Sequence, residues 1–173
     1  MWATENPHEF IETSLHPQKI GIWVAVSRRR IIGPIFFREV INGERYRGIL
    51  RQALEQMHDD KLRFGYFQQD GAPAHTAAET VRYLEEFYGD RIISRGLWPS
   101  RTSDLTPLDY YLFGRIKNNI FKQRVHTLED LEVTIHHEIE SITPNELERV
   151  FECMKWRINL YLENEGGHFE HFL

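Results

Sequence analysis

The sequence predicts an α/β domain in which short strands come first and helices come last. Residues 19–26, 31–37 and 62–69 are rich in β-branched and aromatic side chains and are bounded by glycine, proline or charged residues, as strands are. Later segments repeat apolar residues at helical spacing instead. The order that follows is β-β-α-β-α-β-α-α-α.

The first two strands are predicted to form a hairpin followed by a helix. Residues 19–26 and 31–37 are its arms, and residues 27–30, Ser-Arg-Arg-Arg, form the turn. Residues 43–57 then carry apolar side chains at helical spacing, which favours a helix with one buried face.

Two further strands enclose the next helix. Residues 62–69 form a strand, and the pattern Thr76-x-x-Glu79 is typical of a capping box that starts a helix. Gly89 ends this helix, and residues 91–94 form a short strand after it.

Three helices complete the pattern, with starts at Thr106, Thr127 and Thr143. The last start is the best marked. Thr143 is the cap, Pro144 takes the first helical position, and Glu146 completes a capping box.

Length and composition favour one soluble globular domain. The chain has 173 residues, 41% of them hydrophobic and 13% aromatic, which argues against disorder. It has no apolar run of membrane-spanning length, so no membrane association is expected. The single Cys153 cannot form an internal disulfide, which indicates a reducing compartment.

The net charge of −5 argues against tight, autonomous DNA binding, because such proteins usually carry excess positive charge. A metal-dependent protein site that acts on nucleic acid would weaken this argument from net charge. It concentrates carboxylates and regains attraction for phosphate through bound cations.

Two segments carry the candidate chemistry. Asp70 ends the β-rich run 64–70 and is followed at once by a turn through Gly71 and Pro73. Asp109 lies in the first turn of the helix that begins at Thr106. Acids from a strand end and a helix start can share divalent metals, as the catalytic sites of phosphoryl transfer on nucleic acid do.

These two segments resemble the corresponding motifs of mariner-like transposases of the DDE/D superfamily, and the resemblance extends from about Trp2 to the carboxyl end. It implies an RNase-H-like core of the integrase/transposase type, which the predicted element order also suits. It implies metal-dependent cleavage and transfer of DNA strands in the nucleus, with Mg²⁺ or Mn²⁺ as cofactor and transposon ends as partner. Asp70 and Asp109 would be catalytic and metal-binding residues.

The same resemblance implies that two parts are missing from residues 1–173. These are the amino-terminal helix-turn-helix region and the first strand of the core, which carries the first catalytic aspartate. The expectation is a single truncated domain, with a core over about 18–122 and a helical part over about 123–173. Its carboxylate triad would be incomplete and the chain inactive as given. The alternative is a catalytically dead relic, or a fragment recruited to bind protein or DNA.

Each acid also has a simpler interpretation. Asp70 before Gly71 can merely shape an Asx-turn. Asp109, as an acid in the first turn of a helix, can simply stabilise that helix by its interaction with the helix dipole. Asp104 is the rival for the second acid, although 38 residues between Asp70 and Asp109 suit a spacing variant of the family pattern. We favour the metal-binding role for Asp70 and Asp109.

Weaker candidates would contact DNA. Arg101 and the turn residues Arg28, Arg29 and Arg30 can bind phosphate, and the turn arginines can equally form a solvated surface cluster. His75 resembles a histidine that the family carries shortly after its aspartate. It can orient a carboxylate or a phosphate, or serve as a turn residue.

A missing central strand predicts open edges on its two neighbours, residues 19–26 and 62–69. The strands can close on each other, residues 9–15 can fill the gap, or a second chain can pair there. We expect one of the last two, with marginal stability or self-association as the result.

Overall fold

The computed structural model describes residues 19–57, 63–94, 96–99, 103–123 and 125–164. Four strands lie in these ranges: β1 (Gly21–Val26), β2 (Ile31–Phe37), β3 (Phe67–Gln68) and β4 (Ile92–Ile93). The α-helices are α1 (Gly43–Glu55), α2 (Pro73–Thr76), α3 (Ala78–Tyr88), α4 (Phe113–Ile120), α5 (Leu128–Glu140) and α6 (Pro144–Glu163). A 3₁₀ turn (Ser103–Leu105) and a π-helical turn (Leu108–Leu112) precede α4.

The predicted hairpin is present. β1 and β2 are antiparallel, with Val26 opposite Ile31, and the register shifts between Trp23 and Ala25. Gly33 faces this irregularity with φ of +91°, and a Cβ there would lie 2.8 Å from the Trp23 carbonyl oxygen. The bulged ladder therefore needs glycine at this position.

The second strand pair is parallel and shorter than the sequence predicts. Phe67 lies opposite Ile92, and Gln68 lies opposite Ile93. In the described ranges, no ladder joins this pair to the hairpin. The strands in these ranges thus form two separate two-stranded sheets.

The hairpin lies between two helical layers. On one face, Val24 is buried in a cluster with α4, α5 and α6, and Ile22 and Val26 pack against it. On the other face, Trp23 packs against a second cluster formed by α1, α3 and Phe67. Alternate residues of β1 therefore serve opposite cores, as expected of a strand covered on both faces.

One predicted helix start is wrong. The α3 helix begins at Ala78 and not at a Thr76 cap, because Pro73 opens the separate short helix α2. The Thr76 hydroxyl donates to the Ala72 carbonyl at 3.1 Å, and Glu79 forms an ion pair with Arg47. The predicted capping box therefore does not form.

The helix starts predicted at Thr127 and Thr143 are confirmed by side-chain caps on the amides of Asp130 and Glu146. No helix in the described ranges is both long and apolar enough to span a membrane. The predictions for residues 1–17 and for Arg101 fall outside the described residues.

Candidate metal and nucleic-acid site

A cavity of about 450 Å³ lies between the hairpin and β3. Both β1 and β3 line it, and α6 contributes Phe151 and Met154. Asp70, His75 and Asp109 line the same cavity, although they are distant in the sequence. The fold therefore brings together the two acids that the sequence analysis selected.

Asp70 shapes the turn after β3 and keeps part of its carboxylate available. Its Oδ1 accepts a hydrogen bond from the Ala72 amide at 3.0 Å and lies 2.5 Å from Nδ1 of His75. The side chain is 66% exposed, and no hydrogen bond between described residues uses Oδ2. The turn role and a metal-binding role are thus compatible, one for each oxygen.

Two buried polar residues hold His75 against Asp70. The Tyr46 hydroxyl donates to Oε1 of Gln69 at 3.0 Å, and Nε2 of Gln69 donates to the His75 carbonyl at 3.0 Å. The Tyr46 and His75 rings lie 4.2 Å apart between centroids. The sequence predicted Tyr46 only as part of the apolar face of the first helix, and the signal for Gln69 was its amide inside an otherwise β-rich run.

Asp109 projects from the π-helical turn. Its amide donates to the Thr106 carbonyl at 2.9 Å, and the Phe113 amide closes the wider π turn on the Leu108 carbonyl. Partial burial raises the pKa of the Asp109 carboxyl above its usual value, and the negative charges of Asp70 and Asp104 raise it further. A π-helical turn here fits the frequent placement of such turns at functional sites.

Asp104 does not line the cavity. It lies in the 3₁₀ turn, where its carbonyl accepts a hydrogen bond of 3.0 Å from the guanidinium of Arg157 in α6. The same guanidinium lies 4.3 Å from the centroid of the Tyr110 ring. Arg157 thus contacts the backbone before Asp109, at Asp104, and the side chain after it, at Tyr110.

The three turn arginines differ in their surroundings. Arg28 forms ion pairs with Glu148 at 2.9 Å and Glu152 at 2.7 Å on α6. Arg30 lines the cavity and donates to the Gln56 carbonyl, while Arg29 is exposed. Contact of these residues with DNA stays a prediction.

The donor set suits a hard cation. The described residues contain no group of three or more His, Cys, Asp or Glu side chains placed to hold a metal ion. They do offer Oδ2 of Asp70 and the carboxylate of Asp109, and Mg²⁺ is commonly held by one or two carboxylates with water and phosphate. Partial burial, and after it the negative charges of Asp70 and Asp104, raise the pKa of Asp109, and a bound cation would offset the repulsion between these acids.

Comparison with curated proteins gives one distant relative, and no protein-family model matches the sequence. The human histone-lysine N-methyltransferase SETMAR is 26% identical over 148 residues, which cover 79% of this chain. The chain spans about a fifth (20%) of the length of this relative.

Solved structures match this chain in their three-dimensional fold. The Mos1 transposase catalytic domain with Raltegravir and Mg has a TM-score of 0.71 at 22% identity, covering 85% of this chain and 75% of that one. The Mos1 paired-end complex with the left transposon end has a TM-score of 0.73 at 20% identity, covering 98% of this chain and 52% of that one.

These matches show the fold, which is the RNase-H-like α/β fold that the Mos1 transposase catalytic domain also has. The solved structures that match are those of the Mos1 mariner transposase. The predicted fold class and the resemblance to mariner-like transposases are therefore confirmed.

Proposed function

We propose that this chain is a transposase-derived DNA-cleavage and strand-transfer domain whose Asp70 and Asp109 bind a divalent metal and nucleic-acid phosphate. The observation that carries the proposal is the convergence of the two acids on one cavity, where partial burial and then the charge of Asp70 raise the pKa of Asp109. Relatives support the ligands, because Mos1 structures contain Mg, Mn or transposon-end DNA. A DNA substrate makes the nucleus the expected place of action.

A bound Mg²⁺ or Mn²⁺ would polarise a phosphodiester and activate the attacking hydroxyl or water. The residues of the chain would position it. His75 and the Ala72 amide fix one oxygen of Asp70, which leaves Oδ2 for the cation. The π-helical turn and Arg157 hold the backbone around Asp109.

We infer that residues 1–173 alone bind the metal weakly and do not cleave DNA. Two-metal phosphoryl transfer needs ligands for two ions, and two carboxylates supply few of them. The second candidate function is therefore a non-catalytic binding module. The cavity that contains the two acids is also lined by apolar side chains such as Trp23, Phe67 and Phe151, which supports this alternative.

Metal binding can be tested by titrating the chain with Mn²⁺ and following free Mn²⁺ by electron paramagnetic resonance. Asp70→Asn and Asp109→Asn should each weaken binding at least about tenfold, because each removes a charged ligand. Asp104→Asn is the matched control and should bind like the parent. Loss in the control with retention in Asp109→Asn would transfer the role to Asp104.

Cleavage can be tested with supercoiled plasmid DNA in Mg²⁺ or Mn²⁺. The chain should produce no nicked circles above the level of a buffer control. Metal-dependent nicking that disappears in Asp70→Ala would show instead that another side chain completes the site.

A further inference from the structure

The two tyrosines that follow Asp109 both attach the π-helical turn to α6. The Tyr110 hydroxyl donates to the Val150 carbonyl at 2.8 Å. The Tyr111 hydroxyl donates to Oε1 of Glu146 at 2.6 Å. Since the two acceptors lie on neighbouring turns of one face of α6, they hold the π-helical turn at two points. One attachment would let the turn pivot, whereas two fix its orientation relative to α6.

Tyr110 is held through its ring as well as through its hydroxyl. The guanidinium of Arg157, further along α6, lies 4.3 Å from the centroid of the ring. Arg157 itself donates to the Asp104 carbonyl at 3.0 Å and, through Nε, to Sγ of Cys153 at 3.4 Å. The hydroxyl and the ring of Tyr110 therefore each have a restrained partner on α6.

The form of this turn affects the direction in which Asp109 points. The Phe113 amide donates to the Leu108 carbonyl, which makes the turn a π turn. A π turn contains one residue more than an α turn, and one residue corresponds to about 100° of rotation about a helix axis. If the turn relaxed to the α form, Asp109 would rotate by up to that angle relative to α4. Its carboxylate would then turn away from the cavity that it shares with Asp70.

We propose that Tyr110 is a positioning residue for Asp109, because its attachment to α6 keeps the turn in the π form and the Asp109 carboxylate beside Asp70. Asp109 and Tyr110 share one planar peptide unit, so a restraint on Tyr110 limits the rotation of its neighbour. The inference rests on the proposed metal site. It assigns to Tyr110 no contact with the metal or with DNA.

Hydrogen exchange of the metal-free chain, read by NMR, tests the restraint itself. Tyr110→Phe keeps the ring beside Arg157 and loses only the hydroxyl bond. The amides of Asp109 and Phe113, which donate within the turn, should then exchange at least about threefold faster than in the parent. Tyr83→Phe is the matched control, because the Tyr83 hydroxyl has no partner in the described ranges, and it should leave these rates unchanged.

Two results of this exchange measurement would overturn the proposal. The first is equal exchange at Asp109 and Phe113 in the parent and in Tyr110→Phe. The second is an equal acceleration throughout α1, because that would show a general loss of stability in place of a local release of the turn.

Paramagnetic broadening by Mn²⁺ tests the consequence for the metal site. The effect falls steeply with distance from the ion, so the side-chain carboxyl carbons of Asp70 and Asp109 report each acid separately. A trace of Mn²⁺ should broaden both signals in the parent. When Mn²⁺ is added to Tyr110→Phe until the Asp70 signal is as broad as in the parent, the broadening at Asp109 should be at least about threefold smaller.

A second pair of variants checks the ring contact. Arg157→Met removes the cation from the Tyr110 ring and should reproduce the selective loss of broadening at Asp109. Arg149→Met is its control, because Arg149 is exposed on the same helix, and it should behave like the parent. An equal loss in both variants would show that α6 acts only through its stability and would overturn the proposal.

The outcomes in Mn²⁺ separate this inference from the metal site on which it rests. No selective broadening of either acid in the parent would overturn the metal site, and with it the role of Tyr110. Selective broadening of both acids that Tyr110→Phe leaves unchanged would overturn the role of Tyr110 alone.

Discussion

The Tyr46 hydroxyl donates a hydrogen bond of 3.0 Å to Oε1 of Gln69, the residue that immediately precedes Asp70. Both residues are buried, with 2% and 5% of their surface exposed. Burial raises the pKa of Tyr46, so the phenol stays protonated and remains a donor throughout the neutral range. A buried hydrogen bond between two uncharged side chains thus holds the end of β3 against α1.

Tyr46→Phe should therefore destabilise the fold. Removal of the hydroxyl leaves the buried Oε1 of Gln69 without its donor, which costs about 1–3 kcal/mol in the free energy of unfolding. Urea denaturation measures the change. Tyr83→Phe is the control, because the Tyr83 ring packs on Phe87 and its hydroxyl has no partner in the described ranges. Equal stability of both variants would contradict the role of Tyr46.

Asp109→Asn should stabilise the metal-free chain at neutral pH. The pKa of Asp109 is raised, so the folded state holds the proton more tightly than the unfolded state and loses stability as pH rises through the ionisation of this carboxyl. The amide avoids that loss. Its advantage in urea denaturation should be present at pH 7 and vanish near about pH 3, where the acid is protonated in both states. A variant less stable than the parent at pH 7 would contradict the cost of ionising this partly buried acid beside Asp70 and Asp104.

Two glycine substitutions should have opposite effects. Gly48 lies within α1 and a Cβ there would meet nothing within 4 Å, so Gly48→Ala should add about 0.5–1 kcal/mol of stability. Gly33 has a positive φ and its Cβ would approach the Trp23 carbonyl oxygen, so Gly33→Ala should cost about 1–3 kcal/mol. Thermal denaturation of both variants compares the two signs directly. Destabilisation by both would show that α1 does not tolerate the methyl group.

Arg115 should contribute more to the stability of the fold than an exposed arginine that forms similar ion pairs. It forms a close ion pair with Glu146, which also accepts a hydrogen bond of 2.6 Å from the Tyr111 hydroxyl. Both partners of the pair are only about a quarter exposed (26% and 24%), so Arg115→Met should cost about 2–4 kcal/mol by leaving a carboxylate poorly compensated.

Arg38→Met is the control for this prediction. Arg38 pairs with Glu129 and Glu132 at the surface, and such pairs contribute about 0–1 kcal/mol. Urea denaturation at low and high salt should show a salt-dependent effect for Arg38 and a nearly salt-independent one for Arg115. A larger loss of stability in Arg38→Met than in Arg115→Met would contradict this prediction.

Local patterns in the sequence were sufficient for the hairpin and for most of the helices, whereas the metal-binding role of Asp70 and Asp109 stays a prediction. Alternation and helical spacing report which face of a segment is buried, and that information is contained in neighbouring residues. The error at Thr76 has a local cause too. Pro73 can begin a helix as well as end a turn. Here it begins α2, so α3 starts at Ala78, after the predicted cap Thr76.

The support of the site could not be predicted in this way. Tyr46 and Gln69 are 23 positions apart, and Arg157 and Asp104 are 53 positions apart, so only the folded chain places them in contact. Glu146 illustrates the same limit. The sequence assigned its carboxylate to a capping box, whereas in the fold that carboxylate binds Tyr111 and Arg115.

The brace that Arg157 provides has a consequence for how the domain can be divided. Arg157 lies well beyond Asp109 in the sequence, yet it holds the 3₁₀ turn through Asp104 and covers the ring of Tyr110. A fragment that stopped after Asp109 would retain both candidate metal-binding side chains and lose the contacts of Arg157 beside one of them. A smaller unit that keeps this geometry must therefore extend into α6, at least as far as Arg157.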